Sequence, residues 1–204
     1  IVNEGADKHA ALGTEKSKGT KLVSVSGHVK KPGNYEIELG TPTSELIFNM
    51  AGGIQNDNKL KAFIPGGSSV PMLPADKVDT PYDYESLAEA GTMLGSGALI
   101  VIDDSINIVE ATLRLISFYM HESCGKCTPC REGTRWLHQI VERIMQNKGQ
   151  LEYITKLEDI CDNMAFKAFC PLADACVAPV VSSIKYFRSD YEEYFKNVPA
   201  GVAR

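Results

Sequence analysis

The sequence predicts an α+β chain, a small grasp-like β domain over residues 21–104 followed by a four-helix bundle over residues 105–204. Three observations predict it. Apolar and polar residues alternate in KLVSVSGHV and again, after a Pro-Gly-Asn turn, in VKKPGNYEIEL, the pattern of a half-buried hairpin. ALIVID, at residues 98–103, is a continuous apolar run of strand length. After Asp103, Asp104 and Ser105 the apolar residues recur every three or four positions, which is the helical period.

Residues 1–20 are polar and rich in Gly, Lys and Thr, so they read as a linker into the first folded element. The chain starts without Met and reads as entering in the middle of a longer sequence. Past the hairpin, Thr43 or Ser44 is placed to cap a short helix through ELIFNMAGG, which Gly52 and Gly53 end. KAFIPGG resumes an extended run, a long loop carries Pro71, Pro74 and Pro81, and a short helix follows around YESLAEAG. A β, β, α, β order closing on ALIVID fits a grasp-like domain that ends near Asp104. In the second part Ile106, Val109, Leu113, Ile116 and Met120 share one helix face. A second helix carries Leu137, Ile140, Val141, Ile144 and Met145, a third carries Ile154, Leu157, Ile160, Cys161 and Met164, and a fourth begins after Pro171. Short loops join them, as in a bundle.

At 204 residues the chain is long enough for two modest cores, and its net charge of −5 offers no basic field for nucleic acid or anionic lipid. No apolar run reaches the roughly 20 residues that span a bilayer, and the start lacks the order of a signal peptide. Six cysteines are too sparse for a secreted disulfide scaffold, and three of them fall within seven residues. That usage suits metal binding in a reducing compartment and predicts a cytoplasmic protein.

The chemistry-bearing feature is ESCGKCTPCREG, where Cys124, Cys127 and Cys130 are spaced C-x₂-C-x₂-C between two helices. The spacing lets one loop wrap three corners of a [4Fe–4S] cubane, with Gly125 free to take positive φ and Pro129 stiffening the turn. Thr134 stands where a ferredoxin run would place its fourth cysteine, so the fourth ligand comes from elsewhere. Cys161 lies on the apolar face of the third helix. Cys176 lies on the stripe Ala173, Cys176, Val177, Val180 and Ile184 of the fourth. Cys170 precedes Pro171, a favoured first helical residue, and so occupies an N-cap-like position whose unpaired N–H groups suit an anionic thiolate. Lys126, Arg131 and Arg135 are candidates for raising the cluster's potential. Structural zinc usually pairs two knuckles, whereas here three cysteines crowd one loop, so the spacing favours the cluster over zinc.

Other features have plain explanations. His121 and Glu122 flank the cysteine loop and read as a solvated helix end. Gly66-Gly67-Ser68-Ser69 lacks the lysine of a P-loop, and the glycines of GTMLGSGALIV precede a strand, where a dinucleotide fingerprint would follow one. Trp136 and the group Tyr186, Phe187, Tyr191, Tyr194 and Phe195 follow helical spacing and read as core or partner contact. Asp190, Glu192 and Glu193 read as a solvated face. With no nucleophile–base pair or paired carboxylates, the chain reads as an electron relay, and the competing reading is a scaffold in which the metal only staples the bundle.

ESCGKCTPCREGTRW followed by FCPLADA, with SVSGHVKKPG, AGGI, GGSSVPML and AGTMLGSGALIVID before them, resembles the family of NADH-binding flavoprotein subunits of respiratory complex I over about Gly19 to Phe187. The resemblance implies a soluble-ligand-binding β-grasp domain and a helical bundle holding a [4Fe–4S] cluster on Cys124, Cys127, Cys130 and Cys170. It implies electrons that leave NADH as hydride to FMN and pass singly through the cluster to a thioredoxin-like [2Fe–2S] subunit and a larger multi-cluster subunit, in a complex peripheral to the inner membrane. The family's FMN- and NADH-binding domain precedes the β-grasp region and is absent from this chain, so residues 1–20 would be the linker from it and no catalytic residue carries over. Diaphorase subunits of NAD(P)-linked hydrogenases and formate dehydrogenases, including electron-bifurcating ones, share the pattern.

Overall fold

In a computed structural model that describes residues 1–196, the chain divides into two compact units, Ile1–Ser105 and Ile106–Arg204. Residues 197–204, the end of the expected 105–204 region, lie outside the described residues.

The first unit is built on a five-stranded sheet. A short helix α1 (Ala6–Ala10) leads into β1 (Thr20–Gly27) and β2 (Gly33–Glu38), then β3 (Leu60–Ile64), β4 (Leu73–Pro74), α2 (Tyr84–Glu89) and β5 (Ala98–Asp103). The strand order is β2-β1-β5-β3-β4. β1 pairs antiparallel with β2, opposing Val23 to Tyr35, and parallel with β5, opposing Val25 to Leu99. β3 lies antiparallel to β5, with Phe63 opposite Val101. Alternation decides the faces of β1: Val23 and Val25 are buried while Leu22, Ser24 and Ser26 face out. Where β1 ends, Gly27 adopts φ 87° and a Cβ there would strike the Val101 carbonyl, so only glycine fits this close approach.

Three expectations need correction here. Residues 1–20, read as a linker, carry α1 and a tight loop whose Ser17 is buried and donates its hydroxyl to Glu85 at 2.5 Å. Neither Thr43 nor Ser44 caps the next helical segment with its side chain. Glu45–Met50 forms a wide π-type turn, and the buried Thr43 hydroxyl instead donates to the Thr80 carbonyl at 2.8 Å. The proline-rich loop contains the two-residue strand β4, whose Pro74 sits at the sheet edge, where no N–H is required. The cap of α2 is Asp83, which accepts the Ser86 N–H at 2.7 Å.

The second unit comprises α3 (Ile108–Glu122), α4 (Thr128–Met145), α5 (Glu152–Met164) and α6 (Leu172–Lys196). One apolar core joins them through Val109, Ile116 and Tyr119 of α3, Leu137, Val141 and Ile144 of α4, Ile154, Leu157 and Met164 of α5, and Val180, Ile184 and Tyr191 of α6. The face of α3 is turned from the one expected: Val109, Thr112, Ile116 and Tyr119 are buried, while Ile106 lies before the helix and Leu113 and Met120 are only half-buried. Asp190, read as part of a solvated face, is half-buried and has a structural partner, its carboxylate accepting the Ile108 N–H. α6 bends at Phe187, and beyond the bend the buried Tyr191 hydroxyl meets the Ser183 hydroxyl at 2.7 Å.

Candidate metal centre

The site lies where α3 turns into α4. Ser123 leaves the helix in an extended conformation, Gly125 reverses the chain at φ 78°, and Cys127 is the N-cap of α4, whose first turn contains Pro129. Arg131 braces this turn, donating to the Gly125 carbonyl at 2.8 Å and to Glu132 at 2.8 Å. Cys124 is exposed, Cys127 half-buried and Cys130 buried. The three thiols therefore run from solvent inward, from the loop after α3 into the first turn of α4.

Cys170 is exposed on the α5–α6 connection. α6 begins at Leu172, with the Ala175 N–H donating to the Pro171 carbonyl at 2.8 Å, so Cys170 stands just outside the first turn of that helix. Two contacts bring its segment against the first loop. The Phe169 N–H donates to Cys127 Sγ at 3.4 Å, and Lys126 Nζ sits 5.3 Å from the centre of the Phe169 ring. Phe166, at φ 57°, is held by its N–H donating to Asp174 at 2.6 Å. The two loops border a cleft of about 500 Å³ lined by Lys126, Cys127, Pro129, Phe166, Lys167 and Phe169.

The donor chemistry fits an iron–sulfur group. Three thiols stand at the α3–α4 turn and in the first turn of α4 and a fourth on the α5–α6 connection, and two of them already have hydrogen-bonding partners at sulfur: Phe169 at Cys127, and the Ser123 hydroxyl 3.3 Å from Cys130 Sγ. No three His, Cys, Asp or Glu side chains among the described residues converge closely enough to hold a single metal ion.

Cys161 and Cys176 differ in kind. Both are buried in the core, and burial pushes the Cys161 thiol up to about 12, with the charges of Asp162 and Glu158 adding to it. Burial also raises the Cys176 thiol, with Cys161 and Cys130 beside it. Both pack among the apolar side chains of the helical core. Of the basic residues expected around the site, Lys126 covers Phe169, Arg131 holds the loop carbonyl, and Arg135 is exposed on α4. His121 and Glu122 are exposed at the end of α3. Sequence reasoning missed Ser123 and the Phe169 N–H; a hydroxyl residue directly before the first cysteine was the signal available for the former.

The family model described as "NADH-ubiquinone oxidoreductase-F iron-sulfur binding region" matches residues 110–194, a span that contains all six cysteines, and the SLBB domain model matches residues 21–101. Through these two regions the chain is similar to F subunits of NADH-quinone oxidoreductase. The F subunit of this oxidoreductase from Streptomyces coelicolor is 48% identical over 194 residues, covering 95% of this chain and 43% of the relative. Its counterpart from Mycobacterium tuberculosis is 49% identical over 191 residues, 94% of this chain and 43% of its own length. The counterpart from Rickettsia felis is 43% identical over 203 residues, 99% of this chain and 48% of the relative. The chain thus spans less than half the length of these relatives. Among solved structures, the NAD+-reducing [NiFe]-hydrogenase in its H2-reduced state superposes with a TM-score of 0.84 at 29% identity, covering 95% of this chain and 32% of that one. No helix among the described residues is long and apolar enough to cross a membrane.

Proposed function

We propose that this chain is the electron-relay part of an NADH-oxidising flavoprotein subunit of the NADH:quinone oxidoreductase type, with Cys124, Cys127, Cys130 and Cys170 as the four ligands of a [4Fe–4S] cluster. The bond from the Phe169 N–H to Cys127 Sγ carries the reading, because it joins the loop of three cysteines to the segment that ends in Cys170. When bound, the cluster supplies a one-electron stop between a flavin and the next iron–sulfur centre. The chain's own residues do the holding. Gly125 and Pro129 shape the loop, Arg131 fixes it by the Gly125 carbonyl, and Phe166, through Asp174, fixes the connection that presents Cys170.

In this reading residues 21–104 are a β-grasp domain and residues 105–204 a four-helix bundle. FMN and NADH are bound by a domain outside this chain, and electrons leave to a thioredoxin-like [2Fe–2S] subunit and a larger multi-cluster subunit on the cytoplasmic side of the membrane. The likeness to the NAD+-reducing hydrogenase supports a second reading, the diaphorase subunit of an NAD(P)-linked hydrogenase or formate dehydrogenase, which would use the same cluster with another terminal acceptor.

The test is iron and sulfide analysis of anaerobically purified chain, with EPR after reduction. We expect about four of each per chain and a reducible signal, lost in Cys170→Ser. A colourless protein with one zinc, or a Cys170→Ser variant with the full iron content, would overturn it.

A further inference from the structure

We infer that Ser123 is a positioning residue for the cluster, holding the Cys130 thiolate through its hydroxyl and raising the cluster's reduction potential; this rests on the ligand set proposed above. The Ser123 hydroxyl lies 3.3 Å from Cys130 Sγ, and in a free thiol either atom could donate. As an iron ligand Cys130 has no proton left, so the hydrogen bond can run only from Ser123 Oγ–H to sulfur.

Three features make this bond matter. Cys130 is 7% exposed, the one buried member of the four proposed ligands, so water competes little for its sulfur. Ser123 is also fixed at both ends of its backbone role. Its N–H closes the last turn of α3 on the Tyr119 carbonyl at 3.0 Å, and the next residue is Cys124. Finally, the Cys130 backbone carbonyl accepts the buried Thr134 hydroxyl at 2.9 Å, one helical turn on. The Cys130 backbone is therefore tied into α4, and the Ser123 hydroxyl lies within hydrogen-bonding reach of its sulfur.

The physical effect has a definite sign. One-electron reduction adds negative charge that spreads onto the ligand sulfurs, and a donated hydrogen bond stabilises that charge more in the reduced state than in the oxidised one. Removing the donor must lower the midpoint potential. Replacing it with another hydroxyl must restore the potential.

The experiment compares the full chain, anaerobically reconstituted with iron and sulfide, as wild type, Ser123→Ala and Ser123→Thr. Each is measured for iron per chain, for midpoint potential by EPR-monitored redox titration, and for exchangeable protons near the cluster by pulsed EPR in H2O and D2O. We expect Ser123→Ala to titrate at a more negative potential and to lose one exchangeable-proton coupling, with Ser123→Thr returning both towards wild type. Iron held by Ser123→Thr but not by Ser123→Ala supports the same role. An iron-loaded Ser123→Ala with the wild-type potential overturns it. So does a wild-type cluster with no deuterium-sensitive coupling, a result that needs no variant to fold. A wild-type chain that binds no iron would instead sink the ligand set itself.

Discussion

The Asp190 carboxylate on α6 accepts the backbone N–H of Ile108 at 2.8 Å, closing the start of α3 from a position 82 residues away in sequence. Asn107 completes the cap: its side-chain oxygen accepts the Val109 N–H at 2.8 Å, and its amide donates to the Asp190 carbonyl at 3.2 Å. A negative charge at a helix N-terminus meets both the unpaired N–H groups and the positive end of the helix dipole. Asp190→Ala is therefore expected to cost about 1–2 kcal/mol. Asp190→Asn, which keeps an acceptor and loses the charge, should cost less. Urea denaturation followed by helical CD checks both, and equal losses would remove the charge from the account.

Gly133 of α4 faces Met164 of α5 with no room between them, since a Cβ on Gly133 would run into Cγ and Sδ of Met164. Gly133→Ala gains helix propensity of about 1 kcal/mol, but overpacking in a filled core costs about 1–3 kcal/mol. The net expectation is destabilisation, recovered when Met164→Ala opens the space. A double-mutant cycle in urea measures the coupling, and additive effects would mean that contact with Met164 is not what Gly133→Ala disturbs.

The core cysteines and the loop cysteines should separate by reactivity. With iron removed by a chelator, a maleimide at neutral pH is expected to label the exposed Cys124 and Cys170 quickly, and to reach Cys161 and Cys176 only on unfolding. Cys161→Ala and Cys176→Ala should keep their iron and lose only about 1 kcal/mol of stability each. Loss of iron from either variant would move the ligand set into the core.

What the sequence made legible was local. The alternation of Val23 and Val25 with exposed neighbours marked β1, and the spacing of Cys124, Cys127 and Cys130 marked a metal loop, because both patterns are complete within a few residues. What it hid was long-range or conflicted with a local rule. Asp190 sits beside Glu192 and Glu193 and resembles surface charge until α3 is brought against it. Pro74 argued against a strand, yet an edge strand needs no donor there. Thr43 had the residue type of a cap, but the Thr80 carbonyl claims its hydroxyl. The face of α3 was misplaced because apolar residues nearly surround that helix and spacing alone could not choose among them.

Acid should act on the first unit through Asp103. Its carboxylate, buried at the end of β5, would be pushed up by burial alone. Hydrogen bonds from the Ser105 hydroxyl at 2.6 Å, the Asn58 amide at 2.9 Å and the Ser105 N–H at 3.1 Å, with His28 Nδ1 at 2.8 Å, outweigh burial and hold its pKa below the ordinary 3.8. A carboxyl whose folded pKa is depressed stabilises the fold fully above its unfolded value. It gives up that stability as pH falls through the folded one. The first unit should therefore lose this contribution only below about pH 3.8. Asp103→Asn is expected to be less stable than wild type at neutral pH, with the gap closing as the medium is acidified past that point. Thermal melts across pH 2–7 measure the gap, and one that stays constant across the range would show that shape rather than charge holds Asp103 in place.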